Sequence, residues 1–497
     1  MIDRTEMMRQ MIEMAITYGR KQLSPQTGYL HYCYSLHEDD PHLPIPVIDN
    51  FLFALALLRS RQIENVNEAK VLLEGLLHFQ NKQAESIADG NFPIYLHEYP
   101  ICKDRFIGVQ VAAVIYWILK LYHQGLGSEL KKRLEDAFIA ALHHVLRAQA
   151  EKPAPYPMAV KIAATVKAGG KLLQNHDLIK QGTDLLIHLN QNQNDAAWYC
   201  PKSMGIMLSA LMMVYPRLSE SPWANFWKHL ESTWHRRTCS YVGPALKEWQ
   251  QGSEPQVTLY DLAMGYFSKQ MSERALKIAP VHLEAMLLPL CDDTLHDLSY
   301  PLVMDGLLGE SPWRLYHDVH SAYCIIEAKP EFINQADEKG FHVFKLVWGD
   351  HHRVHTFVGQ GGNNLLSKYN TDDGVLSLSF ELGELGDLEE REKCREVIFF
   401  MDHHEKLEFL IAGAKSSIFS LGEEISIKDD SCQLSLTFAL EEGDGTFMGH
   451  RMLGNRPAQL DVKRKHRYDA YDWQLFLRTV RRTAQCRMNV TLRLNKI

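Results

Sequence analysis

The apolar residues of this chain keep one spacing for about 290 residues and then switch to another, and few folds accommodate both. From Asp3 to about Pro289 they recur every three or four positions, the period of one helix face. Met7, Met11, Met14 and Tyr18 mark an opening helix, and further helices are expected near 49–61, 66–84, 105–123, 128–149, 157–173, 177–190, 202–215, 222–235, 258–271 and 279–290. Asn65, Ser128 and Ser221 suit N-caps. Past Ser311 the period falls to two. Leu376, Leu378, Phe380 and Leu382 alternate with polar neighbours, as do Leu434, Leu436, Phe438 and Leu440, and Cys486, Met488, Val490, Leu492 and Leu494.

The helical links alternate in length. Short ones fall near 61–65, 124–127, 173–176 and 216–221; long ones, rich in aromatic residues and proline, at 23–48, 85–104, 150–156, 191–201 and 236–257. Helices joined in this way form successive αα-hairpins with a repeat of about 50 residues, each burying its face against the next. The long links then emerge on one side. The expected fold class is multidomain α then β: an incomplete α/α toroid over 1–310, followed by an antiparallel β-sandwich over 311–497.

Bulk composition narrows the function. A net charge of −8 is no general nucleic-acid surface, and an acidic ligand needs a local basic group. Nine dispersed cysteines without a Cys-x-x-Cys fit a reducing compartment. The start, MIDRTEMMRQ, lacks the apolar run of a secretory signal, and the longest apolar run, Phe106–Leu119, is too short to span a bilayer. A soluble cytoplasmic protein with no membrane partner is expected. Phosphate-loop, dinucleotide-binding and nucleophile-elbow patterns are missing, so no cofactor is expected.

The stretch Tyr241–Tyr266 interrupts the helices with Gly243-Pro244, Gly252 and Pro255, and gathers Tyr241, Lys247, Glu248, Trp249, Gln250, Gln251, Gln256 and Tyr260. Groups able to hydrogen-bond and stack, concentrated in a broken loop, suggest one wall of a binding cleft. A helical-hairpin array followed by a β-sandwich, with aromatic loops on one side, resembles the polysaccharide lyases of the heparinase II/III and alginate-lyase kind. That resemblance implies a cleft holding an acidic sugar chain, a Tyr or His that removes the proton beside the uronate carboxylate, and polar groups that neutralise that carboxylate. Stabilising the enolate needs preorganised donors, and a placed base adds a further factor of about 10²–10⁴.

On that reading Tyr260, His97, Asn91 and Tyr241 are the candidate catalytic residues. Tyr260 opens an inner helix directly after the broken loop, and the loop Asp89–Tyr99 carries Asn91, Tyr95 and His97. Arg105, Trp198, Tyr199, Glu248, Trp249, Gln256, His351 and His355 are candidates for contacting an acidic oligosaccharide, the tryptophans and Tyr199 by stacking. The ordinary alternatives are a core tyrosine at Tyr260, loop anchoring by the aromatics, and a solvated turn at His351–His355. Two histidines there, without a placed carboxylate, do not complete a metal site. The basic run 463–467 reads as a solvated loop. A glycoside hydrolase using Glu98 with Glu248 or Asp261, and a non-catalytic binding protein, are the alternatives.

Overall fold

The structure is a computed structural model that describes residues 4–34, 43–84, 86–193, 195–244, 257–308, 310–327, 342–360, 365–372, 375–382, 396–401, 407–430, 432–457, 471–482 and 485–496. Two compact units result. The first takes 1–229, 257–269 and 277–295; the second takes 230–256, 270–276 and 296–497.

The first unit is helical. Its principal helices are α1 (Arg4–Gln22), α2 (Val47–Arg59), α3 (Ile63–Leu76), α4 (Ile107–Tyr122), α5 (Ser128–Glu151), α6 (Tyr156–Leu172), α7 (His176–Gln191), α8 (Asp195–Trp198), α9 (Pro201–Leu211), α10 (Ala224–Ser232), α11 (Leu259–Ser268), α12 (Glu273–Leu276) and α13 (His282–Ala285), the short α12 and the end of α10 falling in the second unit. Two kinds are distinguishable by composition. In α2 and α4 almost every side chain is buried, so these helices are surrounded by others. In α5 the buried positions Leu130, Leu134, Phe138, Leu142 and Val145 form one stripe, so that helix has a wet face. Packing follows: α2 lies on α4, α4 on α6, α6 on α9, α9 on α11, α11 on α13, and α13 returns to α2, while α3, α5 and α7 back α2, α4 and α6. The inner helices α2, α4, α9 and α11 begin after long links, whereas α6 follows α5 after residues 152–155 alone, so the long link expected at 150–156 is short. Asn65 lies within the first turn of α3 and donates from its side-chain amide to the Ser60 hydroxyl at 3.0 Å, while Gln62 occupies the N-cap position.

The paired helices approach closely at Gly182 of α7. A Cβ there would stand 2.5 Å from the Lys167 backbone nitrogen and 2.8 Å from the Ala163 carbonyl of α6. Backbone cannot step aside as a side chain can. Gly182→Ala is expected to destabilise the protein by about 1–3 kcal/mol, read as a lower denaturation midpoint; an unchanged midpoint would mean that α6 and α7 lie further apart.

The second unit is built of antiparallel sheets. Its strands are β1 (Trp234–His235), β2 (Ser240–Tyr241), β3 (Leu302–Leu308), β4 (Ser311–His317), β5 (Ser321–Ile326), β6 (His342–Gly349), β7 (Val354–Gln360), β8 (Leu365–Asp372), β9 (Val375–Leu382), β10 (Glu396–Met401), β11 (Glu408–Ile411), β12 (Ile418–Phe419), β13 (Ile425–Lys428), β14 (Cys432–Glu442), β15 (Thr446–Pro457), β16 (Tyr471–Arg481) and β17 (Cys486–Lys496). One sheet runs β12-β15-β16-β10-β7-β6-β5-β4-β3 and the other β11-β13-β14-β17-β9-β8. The period-two residues form the core: Leu378, Phe380, Leu434, Leu436, Phe438, Met488 and Val490 are all buried. Phe399 of the first sheet meets Phe380 and Phe438 of the second, with ring centroids 5.9 and 6.1 Å apart.

Within this unit the β1–β2 hairpin brings His235 against His317 of β4, rings 4.9 Å apart, with Tyr300 at 5.1 Å from His317. The His235 ring nitrogens meet the Thr238 hydroxyl at 2.7 Å and the Asp318 carbonyl at 3.2 Å. Burial pushes His317 down to about 4. Burial, and then the neighbouring His317, pushes His235 down to about 3.

Candidate functional site

The inner helix α2 is apolar apart from Asp49 and Asn50 in its first turn and Arg59 at its end. Asn50 is fully buried and works as a clamp. Its Oδ1 accepts the Leu30 amide at 2.8 Å, and its Nδ2 donates to the carbonyls of Leu30 (3.2 Å) and Pro46 (2.7 Å). That holds the link carrying Tyr32, Cys33 and Tyr34 over the start of α2.

Asp49 is buried beneath that link. The Tyr34 hydroxyl hydrogen-bonds its carboxyl, and Oδ2 has no partner. Burial raises Asp49 to about 7; the Tyr34 hydrogen bond lowers it, and the charge of Glu284 raises it further. Desolvation outweighs both the helix N-terminus and the hydrogen bond. Tyr34 itself is held far above the ordinary tyrosine range, by burial of its hydroxyl and by the Asp49 charge, although 44% of the residue is exposed.

Around this pair lie more proton-bearing groups. Tyr95 accepts the Tyr34 amide at 3.0 Å, packs on the Tyr34 ring at 5.7 Å, and is pushed up to about 12, mainly by burial. His97 is exposed and stacks on Tyr95 at 5.8 Å with 10° between the planes. Tyr32 touches the Tyr34 ring edge-on at 5.6 Å. The arrangement joins a half-exposed tyrosine to a buried acid that titrates near neutrality, with an aromatic platform beside it. It can accept a proton from a bound molecule and return it.

Further along the inner helices a recess is lined by Leu52, Gln110, Trp117, Lys161, Ser209 and Glu284, among other residues. It measures about 350 Å³ with its mouth included. Glu284 acts electrostatically on both Asp49 and Lys161.

The residues singled out from sequence fall in separate places. Asn91 is 1% exposed and fully used: its Nδ2 donates to the Asp104 carbonyl and its Oδ1 accepts the Gly108 amide, both at 2.8 Å, pinning the loop to the start of α4. Tyr260 is 0% exposed in the first turn of α11. Tyr241 is buried in β2 and donates to the Pro244 carbonyl at 2.7 Å. These three are closed to a ligand. Arg105 pairs with Glu151. Trp198 and Tyr199 pack on His229, ring centroids 5.5 and 5.2 Å away, and the His229 ring nitrogen meets the Trp198 carbonyl at 2.8 Å, so these aromatics anchor their loop. His355 is sealed at 1% exposure, its Nε2 3.2 Å from Asp429, whereas the His351 ring packs tilted against His352, centroids 3.9 Å apart. Of the carboxylates proposed for hydrolysis, Glu98 accepts the Ile94 amide and pairs with Lys103, while Asp261 forms a capping box with Thr258. Glu248, Trp249 and Gln256 lie outside the described residues. Among the described residues no group of three His, Cys, Asp or Glu side chains is placed to hold a metal.

Asp49, Tyr34 and Lys161 went unmarked in the sequence. The available signal was a charged residue within a mainly apolar stretch of helix, as at Asp49 in VIDNFLFALALLR and Lys161 in YPMAVKIAATV.

No family model and no curated protein matches the chain. Solved structures do match in fold. A heparinase III superposes over 98% of this chain and 85% of its own, with a TM-score of 0.53 at 10% identity. A second heparinase III gene product covers 97% and 84%, with a TM-score of 0.50 at 10% identity. The architecture is polysaccharide-lyase-like, helices followed by antiparallel sheets. Among the described residues no helix is long and apolar enough to cross a membrane.

Proposed function

We propose that the chain is a lyase that cleaves uronic-acid-containing oligosaccharides by β-elimination, on a toroid of helical hairpins joined to a β-sandwich. One observation carries this reading: a buried carboxyl that burial raises to about 7, hydrogen-bonded to a tyrosine that is itself 44% exposed. The fold likeness to heparinase III supports the class. The proton beside the uronate carboxylate passes to the Tyr34 oxygen as Tyr34 gives its own to Asp49. The C–O bond on the next carbon then breaks, a double bond forms, and the proton returns through Tyr34 to the leaving oxygen. A tyrosine held far above its ordinary range stays protonated, so its oxygen can take the substrate proton only as its own proton passes to Asp49. Tyr95 and His97 offer stacking faces for the adjoining sugar. None of the eight described cysteines is in a disulfide, which fits action inside the cell on short oligosaccharides.

The test is a panel of acidic oligosaccharides followed by ultraviolet absorbance and by reducing-end release. New unsaturated uronate is expected with each cleavage. Reducing ends appearing without absorbance would instead make the enzyme a hydrolase, and silence on every substrate in both assays would refute the proposal.

A further inference from the structure

The inner helices carry a second buried charge at the end remote from Asp49. Arg59 closes α2 ten residues beyond Asp49, about 15 Å at 1.5 Å for each residue. It is 8% exposed, and its Nε and Nη1 are buried without a hydrogen-bond partner among the described residues. The hydroxyl of Tyr266, in the last turn of α11, is buried and unpartnered in the same way. Tyr266 lies near enough to act electrostatically on Arg59, as do Tyr122 at the end of α4 and the neighbouring Arg61. Burial pulls the Arg59 guanidinium below its ordinary range; Tyr122 and Tyr266 favour its charge and Arg61 opposes it. No carboxylate among the described residues joins them. A cation suits the negative end of a helix, which accounts for an arginine there. It does not account for donors, and a phenol beside them, shut away from both acceptor and water.

We propose that this end of the helical unit binds a small monovalent anion of the chloride class between the Arg59 guanidinium and the Tyr266 hydroxyl. Water accepts hydrogen bonds but brings no charge, and two guanidinium groups with no carboxylate leave positive charge to match. Arg61 is exposed to water, so one dry cation remains, which selects one negative charge. Arg59 and Tyr266 are 8% and 5% exposed, so only a compact ion reaches both. Tyr122, half-buried, and Arg61 mark the way in. The site is separate from the Tyr34–Asp49 pair and does not depend on the lyase reading. Its ion is a structural ligand that ties together the ends of α2, α4 and α11.

The melting temperature of the full chain, measured in sodium chloride or bromide against sodium methanesulfonate at constant total salt, tests this. Chloride and bromide are expected to raise it by about 2–5 °C at a hundredfold excess over their Kd, while the bulkier methanesulfonate does not. The chlorine-35 NMR line of a chloride solution is expected to broaden when the protein is added and to narrow again as bromide displaces the ion. Arg59→Met keeps an apolar stem and removes the charge. It is expected to melt at an equal or higher temperature in methanesulfonate while losing both the halide shift and the line broadening. Tyr266→Phe removes one donor and is expected to raise the chloride Kd about tenfold. Equal melting in all three salts, or a halide response that survives in Arg59→Met, would overturn the site. Should Arg59→Met not fold, Tyr266→Phe decides: an unchanged chloride Kd refutes the assignment.

Discussion

Asp49→Asn is expected to lower turnover of a cleaved oligosaccharide by about 10²–10⁴-fold, the usual contribution of a placed proton acceptor, and Tyr34→Phe to do the same. Tyr34→Phe removes the Tyr34–Asp49 hydrogen bond, but Asn50 and the Tyr95 hydroxyl still hold the Tyr32–Tyr34 link in both variants. The two losses should not add, because the pair moves one proton. Asp49 accepts only when ionised, so the rate should climb as pH rises through about 7. Stability should move the opposite way. The folded chain holds this proton up to about 7, against 3.8 for an ordinary aspartate, so the stabilisation is complete below 3.8 and lost as pH rises through 7. At about 1.4 kcal/mol for each tenfold, that is about 4 kcal/mol between pH 4 and pH 8. Asp49→Asn should flatten this slope, as followed by denaturant titration at several pH values. A slope that persists in the variant would assign it to another group.

The sheet unit should fail in acid through His235 and His317. Both are held neutral by burial, with folded values of about 3 and about 4 against 6.5. Here the unfolded chain binds the extra protons, so the stabilisation is present above 6.5 and is lost as pH falls towards 3. The two are neighbours and share one repulsion, which limits the pair to about 5–8 kcal/mol, still comparable with the whole stability of a domain. Loss of near-ultraviolet circular dichroism with an acid midpoint between about 4 and 5 is expected. The double variant His235→Gln, His317→Gln should lose most of the pH dependence between 7 and 4.5. If the double variant keeps the parent's full dependence, the pair is not the cause.

How much of this was legible in the sequence depended on the kind of signal. Hydrophobic period marked the helices and strands because burial of one face is written directly into spacing, as at Leu130, Leu134 and Phe138, or at Leu434, Leu436 and Phe438. Sites are written less directly. Tyr260 follows a broken loop, but Leu259 through Phe267, apart from Asp261, is buried on every side, so its position in the helix turns it into the core. His351 and His355 share strand parity on paper, yet the strand begins at Val354, after a turn over Asp350–Arg353, so the parity does not carry across. Trp198 and Tyr199 are loop aromatics that serve the scaffold. Asp49 was hidden because an acid in the first turn of a helix is ordinary capping chemistry. Only the third dimension, with the link from Leu30 to Tyr34 clamped above it, shows that the carboxyl is dry.

The account stands on the ionisation of that one carboxyl. Carbon-13 NMR of aspartate-labelled protein, with the resonance assigned by its loss in Asp49→Asn, measures it directly. The account predicts one carboxyl with a midpoint near 7 that disappears in the variant. An Asp49 resonance that titrates near 4, like a solvated aspartate, would contradict it.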